Sequence, residues 1–526
     1  MTRDEPAADD SGRTDGVEYG IDDRPPLDES VVLGVQHYLT MVGANIAVPL
    51  ILADAMGMPD HITVQFVGTF FVVSGIATLA QTTFGNRYPI VQGAPFSMLA
   101  PALAIIGAVQ TGAVGGADWQ VILVQLQGAI IVAATVQVAL GYFGLVGKLR
   151  RFLSPVVIAP TIALIGLALF DVTQITSDNQ NWWLLGLTLG LILLFSQYLD
   201  VKRKAFRLYP VILAIAIAWL VAAGLSAGNV LVDGQPGYVP LEDVTDASLI
   251  LPIYPFQWGT PEITAAFVVG MIAGVLASIV ESIGDYYAVA NLTGSAAPSE
   301  KRINHGIGME GLMNVFSGIM GTGGSTSYSE NIGAIGLTGV ASRYVVQVGA
   351  VVMLIAGFVG YFGQLIVTIP NPIIGGLFIA MFSQIVAVGL SNLKHVDLDS
   401  SRNVFIVGFA MFVGLAIPEY MANFDTAGFR ATVDLAAAVA PLVEFDPIAG
   451  TVVAGWIEVT AQAVVDTIFI VGSTGMAVGG LAALFLDNTI PGTREERGLA
   501  EWERLTEDES DFETFWERWV GTGREK

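Results

Sequence analysis

Four short stretches of a mostly apolar chain carry the side chains that could do chemistry. In Tyr328-Ser329-Glu330-Asn331-Ile332-Gly333 a carboxylate and an amide sit together at the head of a Gly-broken apolar segment. Glu330 accepts hydrogen bonds when ionised, and Asn331 both donates and accepts. Together they suit a small planar ligand whose edge alternates N–H and C=O; the plainer alternative is a pair that only caps broken backbone. In Glu281-Ser282-Ile283-Gly284-Asp285-Tyr286-Tyr287 the two acids are four residues apart and share a helix face. Two carboxylates on one face of an apolar helix cannot both stay ionised cheaply, so one holds a proton or pairs with a cation. The alternative is a buried carboxylate satisfied by hydroxyls or helix N-termini. Gln92-Gly93-Ala94-Pro95-Phe96-Ser97 puts Gly and Pro where a helix would break, which frees backbone groups for protein, water or ligand. Phe96 can stack on a flat ring or pack against the next helix. Gln36-His37 opens the first apolar run, where a lone His is more often a hydrogen-bond partner than a proton carrier. Glu310, in Gly308-Met309-Glu310-Gly311, is either a supporting carboxylate or a charge at a helix end.

Other chemistries are poorly served. The run Gly321-Thr322-Gly323-Gly324 is followed by no Gly-Lys-Ser/Thr and sits in no strand–loop–helix context, which argues against nucleotide binding. Cysteine is absent, so there is no disulfide, thiolate metal site or Cys nucleophile. No nucleophile–base–orienter set or metal cluster stands out, so an enzyme is not expected and no cofactor is called for.

These stretches must be held by membrane helices. The chain is 53% hydrophobic and only 13% charged, with 60 Gly, and its mean hydropathy is +0.64. Apolar runs of about 18 residues or more recur throughout, as in a polytopic all-α membrane protein. Fourteen spans are expected, near 31–53, 63–84, 90–110, 121–146, 154–171, 182–199, 208–227, 263–291, 306–321, 328–339, 344–368, 372–390, 403–420 and 463–486. That count places all but one of the 23 Lys and Arg, Arg430, on the face bearing both termini. By the positive-inside rule this face is cytoplasmic, and a plasma-membrane location is expected. Residues 1–30 read as a disordered acidic tail. Residues 421–462 read as an external insertion with short helical pieces, and 491–526 as an amphipathic surface helix. The net charge of −24 excludes nucleic acid as a partner and suggests a high-salt cytoplasm. Segments three and ten are both broken, and each is third in its group of seven, the expected sign of an inverted repeat around a midplane site.

Taken together, Gln36-His37, Gln92-Gly93-Ala94-Pro95-Phe96, Glu281 to Ala288 (ESIGDYYA), Glu330 to Arg343 (ENIGAIGLTGVASR) and Leu486 to Gly498 (LDNTIPGTREERG) resemble the nucleobase–ascorbate transporter family, the nucleobase:cation symporter-2 group. Glu330, Asn331, Gly333, Thr338 and Gly339 fit that family's signature throughout. The resemblance implies two inverted seven-helix repeats with short strands in segments three and ten. It implies a core domain (31–146 and 263–368) and a gate domain (147–262 and 369–490), commonly in a homodimer. It also implies that Glu281 and Glu330 hydrogen-bond a nucleobase, that Phe96 stacks on it, and that Ser329, Asn331 and Ala94 complete the site. His37, Asp285 and Glu310 match positions tied to coupling or site organisation. The expected activity is import of a nucleobase, uracil or xanthine/urate, with H+ or alternatively Na+. Glu at 330 resembles uracil transporters, whereas ESIGDYYA and LTGVASR resemble the purine and eukaryotic branch, and ascorbate ranks below both. An anion transporter or channel of the same architecture is the rival reading, against which two acidic site residues argue.

Overall fold

The computed structural model describes residues 17–113, 118–146, 152–199, 206, 208–242, 248–433, 450–499, 512–514 and 517. Its α-helices of eight or more residues are α1 (Leu27–Leu39), α2 (Val42–Met56), α3 (Asp60–Thr83), α4 (Leu99–Ala108), α5 (Trp119–Tyr142), α6 (Pro155–Leu167), α7 (Trp182–Leu193), α8 (Pro210–Ala227), α9 (Ala265–Thr293) and α10 (Glu300–Met320). They continue as α11 (Ser329–Thr338), α12 (Arg343–Phe358), α13 (Gly360–Val367), α14 (Asn371–Ser391), α15 (Ser401–Met421), α16 (Gly450–Gly472) and α17 (Gly475–Thr489). Among the described residues six helices are long and apolar enough to cross a membrane, and two bent pairs would raise that to eight. Shorter apolar helices, including α4, α6 and α12, fill the rest.

Two sets of helices pack among themselves. In one, α5 lies against α9 and α10, and α12 lies against α1 and α3. In the other, α6 lies against α14, α15 and α17, and α7 against α8 and α14. Glycine sets a close crossing in the first set. A Cβ on Gly349 would stand 2.6 Å from the Gly34 carbonyl oxygen, so only Gly on both helices lets α1 and α12 meet backbone to backbone.

Two strands of two residues each, β1 (Gln92–Gly93) and β2 (Thr326–Ser327), pair antiparallel with Gln92 opposite Ser327. Each leads into a short helix, α4 and α11 respectively. Irregular backbone at such depth is tolerated only where it is buried in protein or lines a cavity. Here both strands are fully buried.

Several expectations need correction. The tail 1–30 is not disordered over its second half. Ala341 donates its N–H to the Tyr19 carbonyl at 2.8 Å, Glu18 to that of Gly339 at 2.8 Å and Arg343 to that of Ile21 at 3.0 Å. The Arg343 side chain meets Asp22 at 2.6 Å, and α1 already begins at Leu27. Polar composition concealed a segment held by backbone pairing. The run 31–53 is bent by 48° between α1 and α2. The run 344–368 is interrupted at Val359, which bridges to Ile250. The run 463–486 is not one continuous helix but is broken, its halves meeting at 97° around Ser473 and Thr474. There a Cβ on Gly475 would lie 2.4 Å from the Gly414 carbonyl oxygen, so the corner is set by close packing on α15. Residues 450–462, expected in an external insertion, form the start of α16. Of the rest of that insertion, 421–433 hold the end of α15 and one short helix, Thr426–Thr432, as expected, and 434–449 lie outside the described residues, as does most of the tail 491–526 expected to be amphipathic.

Candidate functional site

The crossing of β1 and β2 places Phe96, just ahead of α4, and Ser329 and Glu330, at the N-terminus of α11, on the space between the two helix sets. Helix N-termini present unpaired N–H groups and positive dipole ends. Glu330 sits in the first turn of α11, where a carboxylate is favoured.

A cavity of about 280 Å³ opens there, lined by Phe96, Glu281, Asp285, Tyr328, Ser329 and Glu330 from the first set and by Ile158, Ile162, Ile165, Gln384, Ile385 and Val388 from the second. It runs toward Ser391 and Asn392 at the end of α14. A second cavity adjoins it and shares Ser329, Glu330 and Gln384. Phe96, 6% exposed, meets Phe382 edge-on with ring centroids 6.1 Å apart.

Three further carboxylates differ in how they are satisfied. Asp285 accepts the Ser327 and Ser329 hydroxyls, each at 2.6 Å. Glu310, fully buried, accepts from Ser278 at 2.6 Å, Ser282 at 2.5 Å and the Gln137 amide at 2.9 Å. The Ser282 and Ser327 hydroxyls are 2.9 Å apart; each hydroxyl has one proton, so a proton on either acid completes a hydrogen-bonded chain from Glu310 to Asp285. Glu281, by contrast, makes no hydrogen bond to another described residue and faces the cavity. Several acids so close in an apolar enclosure cannot all be charged without a proton or cation beside them.

The remaining singled-out residues lie behind the cavity wall. Asn331 is fully buried. Its Oδ1 accepts the Val91 N–H at 2.9 Å, and its amide nitrogen lies 3.3 Å from both His37 Nδ1 and the Pro89 carbonyl oxygen. Ala94 has its backbone engaged: its N–H donates to Asn45 Oδ1 at 3.1 Å and its carbonyl accepts from Tyr328 Oη at 2.7 Å. Asn331, His37 and Ala94 therefore hold the crossing together and do not line the cavity. Sequence reasoning missed Ser278, Ser282, Ser327 and Gln384. Ser278 and Ser282 repeat at the same four-residue spacing as Glu281 and Asp285, one helical turn apart, and that signal was available. Gln384 is the lone amide between Ser383 and a run of apolar residues.

Residues 28–422 match a family model described as "Permease family". Solute carrier family 23 member 2 of Mus musculus is 40% identical, covering 94% of this chain and 78% of its own length. Nucleobase-ascorbate transporter 12 of Arabidopsis thaliana is 33% identical, covering 96% of this chain and 76% of its own. Among solved structures, the murine Solute Carrier 26 family member A9 anion transporter in the inward-facing state superposes with a TM-score of 0.51 at 13% identity. That match covers 73% of this chain and 64% of the other, and it is a likeness of fold alone.

Proposed function

The chain belongs to the nucleobase–ascorbate transporter family and is a membrane transporter, not an enzyme, and from that premise we propose that it imports a nucleobase together with a cation. The observation that carries this reading is one cavity into which Glu281, Glu330, Ser329 and the Phe96 ring all project. Carboxylates accept ring N–H groups, and an aromatic face stacks on a planar ring. An anionic solute would meet repulsion from the same acids. The helix set containing α9 and α11 serves as the core, and the set containing α6 and α14 as the gate. Fourteen spans in two inverted repeats, a homodimer and cytoplasmic termini complete the proposed architecture. In that orientation the cavity mouth at Ser391 and Asn392 faces the cytoplasm, so the site is open inward. H+ is the favoured coupling ion, because Asp285 and Glu310 lie on one hydrogen-bonded chain; Na+ is the alternative.

The test is thermal stabilisation of the purified protein by uracil, xanthine, urate, guanine, adenine and ascorbate. A ligand that binds only the folded state at a hundred times its Kd adds about 2.7 kcal/mol. A nucleobase is expected to raise Tm, and Glu330→Ala is expected to abolish both that shift and uptake while the protein stays folded. A shift with ascorbate alone, or undiminished uptake in the variant, would overturn the reading.

A further inference from the structure

The two walls of the main cavity are unlike. The wall of α9 and α11 is rich in carboxylates and hydroxyls. The facing wall is aliphatic at depth (Ile158, Ile162, Ile385, Val388) except for one side chain, Gln384. Gln384 borders both cavities, as Ser329 and Glu330 do, so it stands across the gap from the acidic residues. It is exposed to that space and makes no hydrogen bond to another described residue. An amide exposed in an otherwise aliphatic wall and held by no neighbouring side chain is free to exchange its water for the polar edge of a solute. It offers both a donor and an acceptor, which the carboxylates opposite cannot do when ionised.

We propose that Gln384 is a substrate-binding and specificity-determining residue. Its amide hydrogen-bonds the edge of the ring turned away from Glu281 and Glu330. The inference rests on the nucleobase reading above and adds to it the residue that reads the far edge. A planar solute wide enough to reach both walls would be held by acids on one edge and by the amide on the other. Gln384 is carried by α14, in the opposite helix set from the acids, so this contact ties substrate to both sets at once. A solute that satisfies only the acid wall forfeits it.

The experiment pairs residue with ring substituent. Binding is measured by thermal shift and by uptake for wild type, Gln384→Leu and Gln384→Asn. Each is tested against whichever base stabilises wild type and against analogues lacking one exocyclic oxygen: hypoxanthine beside xanthine, or 2-hydroxypyrimidine and 4-hydroxypyrimidine beside uracil. One neutral hydrogen bond lost from the site corresponds to about a tenfold loss of affinity. Gln384→Leu should therefore bind the full base about tenfold more weakly, yet bind one analogue as wild type does, because that analogue has nothing left for the amide to read. Gln384→Asn should recover part of the loss. The unliganded Tm of both variants should match wild type. Equal losses for the base and every analogue, or no loss at all, would overturn the assignment. Glu330→Ala separates the two levels of the argument. If it abolishes binding while Gln384→Leu is silent, only the Gln384 inference falls. If Glu330→Ala is silent too, the nucleobase site itself is misplaced.

Discussion

Glu281 and Glu310 are both acids in apolar helices, yet they should fail differently when replaced. Glu310 satisfies Ser278, Ser282 and Gln137. In Glu310→Leu the Gln137 amide loses its acceptor and the two hydroxyls must turn elsewhere. An unsatisfied buried donor costs about 1–3 kcal/mol, so differential scanning fluorimetry should record a clear fall in Tm. Glu281 has no such dependants, so Glu281→Gln should leave Tm within a degree or so of wild type and abolish concentrative uptake. Unchanged accumulation in Glu281→Gln would make that carboxylate structural. The acids themselves were legible in the sequence, because ionisable groups inside long apolar runs are rare. Their partners were not. Ser327 reaches Asp285 across 42 residues of chain, and serine is too common for its type alone to announce that contact.

At the scale of elements, the site depends on two short helices whose starts are fixed by a crossing rather than by their own caps. Tyr328, the residue before α11, makes no side-chain cap, and neither does Met98 before α4. Asn331 does the positioning instead, by accepting the Val91 N–H at 2.9 Å. Gly93 allows it, since a Cβ there would come within 2.5 Å of the Tyr328 ring. Asn331→Ala orphans a buried backbone N–H and should cost about 1–3 kcal/mol. Because the crossing orients Phe96 and Glu330, it should also weaken binding of the stabilising base. Isothermal titration alongside a melt checks both, and a variant with full affinity would release Asn331 from this role. The breaks in segments three and ten could be read from Gly and Pro, which interrupt helices for stated steric reasons. The corner between α16 and α17 was passed over although Gly472-Ser473-Thr474-Gly475 interrupts the apolar run with Gly and hydroxyl residues. What bends the chain there is the approach of Gly475 to Gly414, a contact made only after folding.

At the scale of the whole molecule, the C-terminal residues join the two helix sets. At the end of α17, in the set of α6 and α14, Asp487 is 1% exposed. It pairs with Arg402 at 2.9 Å and Arg497 at 2.8 Å and accepts the Ser154 hydroxyl at 2.7 Å. Further along, Phe512 is 6% exposed and lies against the other set. The Arg302 guanidinium sits 4.6 Å from its ring centroid and 4.3 Å from that of Tyr88. Arg87 donates to the Glu513 carbonyl at 2.9 Å, and Lys301 meets Glu517 at 2.7 Å. Residues 512–514 and 517 are thus the docked end of a C-terminal strap, fixed to the set of α9 and α10. Its two kinds of contact should respond differently. The Lys301–Glu517 pair is about half exposed on both sides, so it is weak and screened by salt. The Phe512 anchor depends on buried apolar area and should persist in high salt. Lys301 and Thr514 hold the Glu517 carboxyl down at about 2, against an ordinary 4.5. A depressed carboxyl stabilises the docked state fully above its ordinary value, and that contribution fades as pH falls from about 4.5 toward 2. Limited proteolysis of the C-terminus reads docking directly. Phe512→Ala should expose the tail at every salt concentration and pH. Lys301→Gln should act only at low salt, and its effect should shrink as pH falls below about 4.5 and vanish only at about pH 2. Equal protection of the Phe512→Ala tail and the wild-type tail would mean that the strap is held elsewhere and does not tie the two helix sets through this ring.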